Sequence, residues 1–190
     1  MGLLILGGLV GIVFLVLLFW VIGMYNLLIR RRVDCDNAWS QIDVQLKRRY
    51  DLIPNLVETV KGYASHERET LEAVIAARSR AVAVPGGDVA QRAEAENMLT
   101  SAIGKLFALS EAYPQLKADA NFRQLQEELT STENKVGFSR QHFNDCVGRF
   151  EETRQTFPAN MIAGAFNFTP RDYFKVEASA EREAPKVSFR

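Results

Sequence analysis

Two histidines, two cysteines and the paired carboxylates are where catalysis or metal binding would have to start in this chain. His66-Glu67 opens like H-E-x-x-H, the helical pair that holds zinc in metalloproteases, but Thr70 stands where the second histidine belongs. His66 follows Tyr63 by three residues and His142 follows Ser139, so the Glu-x-x-His repeat of di-iron bundles is missing as well. Cys35 and Cys146 lie far apart, and neither has a second cysteine at metal or redox spacing. With no disulfide framework, the chain suits a reducing compartment. Asp34, Asp36 and Asp43 form a small acidic group. Carboxylates two residues apart point away from each other on a helix, so a solvated group is the better reading than a cation site. No phosphate-binding G-x-x-x-x-G-K-[ST] loop and no G-x-S-x-G elbow occurs. The expectation is no catalytic residue, no cofactor, no metal and no small-molecule substrate.

Polar residues at positions that should be apolar carry more information. Arg49 and Asn55 flank Pro54, and Glu133, Arg140 and Asn144 lie in the last long helical pattern. A buried charge needs a partner. One reading is an Arg–carboxylate lock between helices, Arg49 with Glu133 or Arg140 with a nearby acid. The other is a polar groove that receives a partner helix. Lys47-Arg48-Arg49 lies ~22 Å beyond Arg32 along a straight helix, more than two Debye lengths, so it reads as facing solvent or a partner rather than lipid head groups.

The elements that must position these residues begin with a charge-free stretch. Of 190 residues, 23 are Lys or Arg and 23 Asp or Glu, yet none falls between Met1 and Ile29. The net charge of zero argues against nucleic-acid binding by bulk positive charge. Gly2 to Ile29 exceeds the ~20 residues that cross ~30 Å of hydrocarbon, with Trp20 and Tyr25 near its second end. A cleaved signal would begin with basic residues and end at a small-residue site, and neither is present. The reading is an uncleaved anchor. Arg30, Arg31 and Arg32 mark its cytoplasmic end, giving a single-pass protein with a small outside N-terminus and a cytoplasmic C-terminal domain. Gly7 and Gly11 form G-x-x-x-G, a spacing that lets helices associate closely in lipid.

Heptad stepping organises the rest. From Trp39 it runs through Ile42, Leu46, Arg49, Ile53, Leu56, Val60 and Tyr63. From Phe122 it runs through Leu125, Leu129, Thr132, Val136, Ser139, Phe143, Cys146 and Phe150. Leu99, Ile103, Leu106 and Leu109 or Ser110 mark a third helix, and Leu71, Val74, Ile75 and Val82 a fourth segment. No stretch alternates with period two, so the fold class is all-α. It is an N-terminal transmembrane helix followed by an antiparallel up-and-down bundle of about four long helices. Pro85-Gly86-Gly87 breaks the pattern, Asp88 with Gln91 restarts it, Pro114 ends or turns the third helix, and Asn121 with Gln124 opens the last. Pro54 should kink the first helix without resetting its phase. Phe157-Pro158 begins an aromatic strap of Phe166, Phe168, Tyr173 and Phe174, expected to be irregular, and a mobile tail from Val176 to Arg190. The domains are therefore anchor 1–29, bundle 30–156, and strap with tail 157–190.

Several runs resemble one family. Tyr25-Asn26, Ala38-Trp39-Ser40-Gln41-Ile42-Asp43, Arg49-Tyr50-Asp51-Leu52-Ile53-Pro54-Asn55-Leu56-Val57 and Val60-Lys61-Gly62-Tyr63 are similar to the first block of the LemA family. Leu125-Gln126-Glu127-Glu128-Leu129, Thr132-Glu133-Asn134, Arg140 and Phe143-Asn144 resemble its second block. Phe157-Pro158, Asn160, Phe166, Phe168, Tyr173-Phe174 and Pro185-Lys186-Val187 resemble its closing signature. The resemblance implies a bacterial inner-membrane protein with a cytoplasmic four-helix bundle and no established catalytic residue. It also implies neighbours such as a membrane zinc protease or other membrane proteins, and in some relatives systems that shape internal membranes.

The leading functional expectation is a membrane-tethered, non-enzymatic scaffold or adaptor that binds copies of itself, membrane lipids or a membrane partner. Its recognition surface would lie on the long helices and the strap. Membrane remodelling by ordered arrays is the alternative, and a carboxylate-dependent hydrolase ranks last.

Overall fold

The computed structural model describes residues 1–85 and 88–175. The Gly86-Gly87 part of the expected break, and the expected tail from Val176 to Arg190 with Pro185, Lys186 and Val187, lie outside the described residues. Six helices make up the described regular structure: α1 (Gly2–Tyr63), α2 (Arg68–Ala83), α3 (Val89–Ser110), α4 (Pro114–Ala118), α5 (Ala120–Gln155) and α6 (Ala159–Ala165). No strand occurs among the described residues.

α1 begins as an apolar sleeve. Large side chains from Leu4 to Phe19 and at Ile22 are exposed, and the helix is long and apolar enough to cross a membrane. Burial starts at Leu28 and then follows the heptad seam, with Ile42, Leu46, Ile53, Leu56 and Val60 all buried. Pro54 sits on the exposed side of this seam, and α1 runs through it unbroken. A proline removes the N–H that would bind the carbonyl four residues back, here Tyr50. Arg78 of α2 fills that role, donating its Nε–H to the Tyr50 carbonyl at 2.8 Å.

The chain divides into two compact units. The first joins Met1–Ile42 with Ser139–Asp172. Its core holds Leu28, Cys35, Ala38 and Ile42 of α1, Phe143, Cys146, Val147 and Phe150 of α5, and Ala159, Ala163 and Phe168. The Trp39 and Phe143 rings meet edge-on at 5.2 Å. The second joins Asp43–Phe138 with the segment beginning at Tyr173. Its core is lined by Leu46 to Val60 of α1, Leu71, Val74, Ala77 and Ala81 of α2, Leu99, Ile103 and Leu106 of α3, Leu116, and Phe122, Leu129 and Val136 of α5. Ile75 and Val82 face outward; the alanines at 77 and 81 take the buried face of α2 and allow close packing.

Helix starts and ends differ from the expected punctuation in three places. Asp88 does cap α3, accepting the Gln91 N–H at 2.9 Å. Pro114 neither ends nor turns α3, which has already stopped at Ser110, but occupies the first turn of α4, where its missing N–H costs nothing. The long last helix begins at Ala120, just before Asn121, because Asp119 rather than Asn121 is the cap and accepts the Phe122 N–H at 2.8 Å. The strap is not wholly irregular either: it begins with α6, which ends in a Schellman turn. Asn167 takes the left-handed conformation (φ 54°), and the Phe168 N–H reaches back to the Ala163 carbonyl at 2.9 Å.

Candidate functional site

The densest polar constellation lies in the second unit and is built from α1, α3 and α5. The seam position Arg49 is 2% exposed, and Glu96 is fully buried. Arg49 Nη1 donates to Glu96 Oε2 at 3.2 Å, and Nη2 reaches Glu133 Oε2 at 2.9 Å and the Thr100 hydroxyl at 2.9 Å. That hydroxyl donates onward to Glu133 Oε1 at 3.4 Å. Tyr50, next to Arg49, donates its hydroxyl to the other oxygen of Glu96. Burial first, and then this bond to Glu96, push the Tyr50 phenol well above its ordinary range, so it remains a neutral donor. Arg92, one turn before Glu96, is also buried and donates Nη2 to the Val84 carbonyl at 3.2 Å.

One arginine thus serves two carboxylates and one hydroxyl, and its guanidinium fork fixes three helices at one level. Tyr50 extends the tie, through its side chain to α3 and through its carbonyl to α2. The two carboxylates have unequal environments: Glu96 is sealed, whereas the Glu133 side chain is 37% exposed. Within the cluster each carboxylate has a hydrogen-bond or ionic partner, an arrangement suited to holding register. Glu96 and Arg92 were absent from the sequence-level candidates. Stepping back from Leu99 by three and seven residues lands on both, the same in-register signal that singled out Arg49.

The remaining candidates are dispersed. Arg49 separates from its basic run: it turns inward, Lys47 is exposed, and Arg48 lies 3.9 Å from Glu128 at the surface. Asn55 is exposed and borders a polar depression of about 420 Å³ with Leu52, Thr59, Asn121, Gln124 and Glu128. Arg140 (buried) and Asn144 (half-buried) belong to the first unit, and the Arg49 cluster to the second. Gly7 and Gly11 face open space.

The first unit has its own polar and aromatic cluster where α1 leaves the apolar sleeve. Tyr25 packs against Phe166 at 4.9 Å and Phe168 at 5.8 Å, and the Arg32 guanidinium lies 5.5 Å from the Phe168 ring. Arg30 and Arg32 are exposed and Arg31 half-buried. Asp36, one of the acidic group, pairs with Arg171 at 2.7 Å. Glu151 accepts from the Arg171 N–H at 2.9 Å, from Arg154 at 2.7 Å and from Gln155 at 3.0 Å. Burial disfavours the charged form of Glu151, but these donors together outweigh it and hold the carboxyl below its ordinary range. Burial pushes the Cys35 thiol up to about 11, and Cys146 is raised for the same reason, so both are poor nucleophiles. Phe168 and Phe174 are buried while Phe166 and Tyr173 are exposed, so the four strap aromatics split between core and surface. Among the described residues no group of three or more His, Cys, Asp or Glu is placed to hold a metal.

Residues 38–189 match the LemA family. Protein LemA of Metamycoplasma hominis is 28% identical over 145 residues, covering 76% of this chain and 66% of the relative. Magnetosome protein MamQ 2 of Paramagnetospirillum magneticum is 20% identical over 181 residues, covering 83% and 66%. Magnetosome protein MamQ of Magnetospirillum gryphiswaldense is 21% identical over 174 residues, covering 79% and 64%. The chain therefore spans a little under two thirds of the length of these relatives.

Proposed function

The chain belongs to the LemA family, and from that premise we propose that it is a membrane-anchored, non-enzymatic helical scaffold. It acts by self-association or by holding a membrane partner at the cytoplasmic face. The observation that carries this reading is α1 itself: one unbroken helix bears an exposed apolar sleeve and, further on, the arginine of the buried three-helix lock. A sleeve of that length needs lipid or protein around it. Lipid contact and domain packing are thus built on the same element.

In this reading the chain is single-pass in the inner membrane. Arg30, Arg31 and Arg32 hold the domain on the cytoplasmic side, Gly7 and Gly11 serve association within the bilayer, and the domain packs as an antiparallel up-and-down bundle. Exposed Phe138 and Asn55 offer surfaces to a second copy or to a membrane protein, for which a membrane zinc protease is one candidate. Likeness to proteins named for the magnetosome favours a second reading, ordered arrays that reshape a membrane.

Photo-cross-linking in cells tests the scaffold, with the reactive residue placed at exposed Asn55 and Phe138 rather than at buried Arg49. Adducts between copies, or with a membrane protein, support it. A protein that stays uncross-linked from every position and runs as a monomer in mild detergent counts against it. Deformation of vesicles by the purified chain would move the weight to the array reading.

A further inference from the structure

Between Arg154 and Arg171 the chain runs sixteen residues without a charge, Gln155 to Pro170, in a region otherwise rich in Lys, Arg, Asp and Glu. After the first 29 residues this is the longest uncharged run in the sequence. It contains α6, and it leaves three of its large apolar side chains exposed. Phe157 is 74% exposed, Met161 66% and Phe166 55%, while only Ala159, Ala163 and Phe168 turn into the core. Three large apolar groups on one short segment, one of them aromatic at each end, are costly in water.

The segment is also fixed in place relative to α1 within the first unit. The Schellman turn after Ala165 buries Phe168 between Tyr25 and Arg32 and leaves Phe166 outside, its ring 4.9 Å from Tyr25. Tyr25 lies five residues before Arg30, so about 7 Å inside the basic collar along the helix. The 29 charge-free residues rise about 43 Å, enough for a hydrocarbon core and its interfacial layers together. With the collar at the head groups, Tyr25 sits in the interfacial layer, and Phe166 shares its depth.

We propose that Phe157–Phe166 is a second membrane contact: α6 and its flanks insert Phe157, Met161 and Phe166 into the lipid head-group–acyl boundary beside the span. This rests on the reading that α1 crosses a membrane. The occupant is lipid rather than a polar partner because the run that bears these exposed side chains is uncharged and Phe166 joins it, through the Tyr25 contact, to the helix that carries the apolar sleeve. The domain is thereby held at two points, which restricts its rotation about the anchor.

The test is depth measurement on the full chain in phosphatidylcholine–phosphatidylglycerol vesicles. Nitroxide labels are placed singly at M161C, F166C, V13C and Q141C, and oxygen and nickel-chelate accessibilities are compared. Cys35 and Cys146 are buried and stay in place, with the unsubstituted protein taken through labelling as the blank. Gln141 is exposed and two residues from Phe143, the ring that packs on Trp39, so its label reports water. The expected result is oxygen-favoured accessibility at positions 161 and 166, several-fold above position 141, and a depth of about 5–10 Å. Water-like values at 161 and 166 with a lipid-buried label at 13 would overturn the second contact and leave the span intact. Water-like values at 13 as well would overturn both. Labels at 161 and 166 shielded from both reagents would mean that protein, not lipid, covers the segment, and would also sink the proposal.

Discussion

Arg49, Glu96 and Glu133 share one guanidinium but differ sharply in exposure, and that difference predicts different losses. Removing one partner of a sealed ion pair leaves an uncompensated charge, at a cost of roughly 3–5 kcal/mol. Arg49→Met, which strands Glu96, should fall in that range by urea unfolding. Glu133→Gln should cost about 1 kcal/mol or less, since water already reaches Glu133. Arg49→Met with Glu96→Gln should lose clearly less than the sum of the two single changes; strict additivity would mean that the pair is not coupled. A second residue-scale prediction concerns acid. The folded Glu151 carboxyl titrates below its ordinary value of 4.5, so its contribution to stability is complete above that pH and disappears as pH falls through the folded value. Glu151→Gln should flatten the acid limb of a stability–pH curve and leave the neutral-to-basic limb unchanged. Arg49 could be picked out of the sequence because it interrupts an obvious stripe, and Glu133 because it rides on the last long helical pattern. Glu96 could not be seen so readily, because α3 is rich in alanine and its stripe is faint before Leu99. Glu151 was missed for another reason: its donors include the backbone of Arg171, twenty residues on, and no periodicity reports such a bond.

Pro54 shows what an element can absorb. The heptad phase on either side of it predicted that the seam would continue, and Ile53, Leu56, Val57 and Val60 are indeed all buried while α1 stays unbroken. What the letters could not supply is the donor that replaces the lost helical bond, because Arg78 reaches Tyr50 only after α1 has turned back into α2. This makes the cost of Arg78→Ala conditional. With Pro54 present, the Tyr50 carbonyl loses its donor, and the loss should be about 1–3 kcal/mol. In a Pro54→Ala background the alanine N–H restores the ordinary helical bond, and the same Arg78→Ala change should cost only a few tenths. Urea unfolding of the four proteins in this cycle decides it, and equal losses in both backgrounds would show that Arg78 acts elsewhere. Turns were harder to read than stripes for a related reason. Asp119 and Asn121 are both plausible caps by composition, and only the bond from Phe122 distinguishes them.

At the scale of the whole molecule, the division between anchor and domain at residue 29 conceals a physical overlap. Leu28 lies inside the apolar run and is fully buried in the first unit, and Tyr25 is the ring on which Phe166 and Phe168 pack. The end of the apolar stretch is therefore also part of a protein core. Hydropathy registers only the absence of charge, so it cannot tell a side chain that faces lipid from one that faces Phe166 or Phe168. A chain cut to begin at Arg30 discards Leu28 and Tyr25, while one cut to begin at Val21 keeps both. Burying a leucine is worth about 1.5–3 kcal/mol and an aromatic pair roughly 0.5–1.5 more. The shorter chain should therefore unfold at a urea midpoint lower by a corresponding amount, with the difference confined to the first unit when tryptophan emission from Trp39 is followed. It should also expose Cys35 to thiol reagents at a faster rate, since that thiol shares the same core. Matching midpoints and matching thiol rates would show instead that the anchor is a detachable tether, and that the contacts of Tyr25 and Leu28 contribute nothing to the fold they touch.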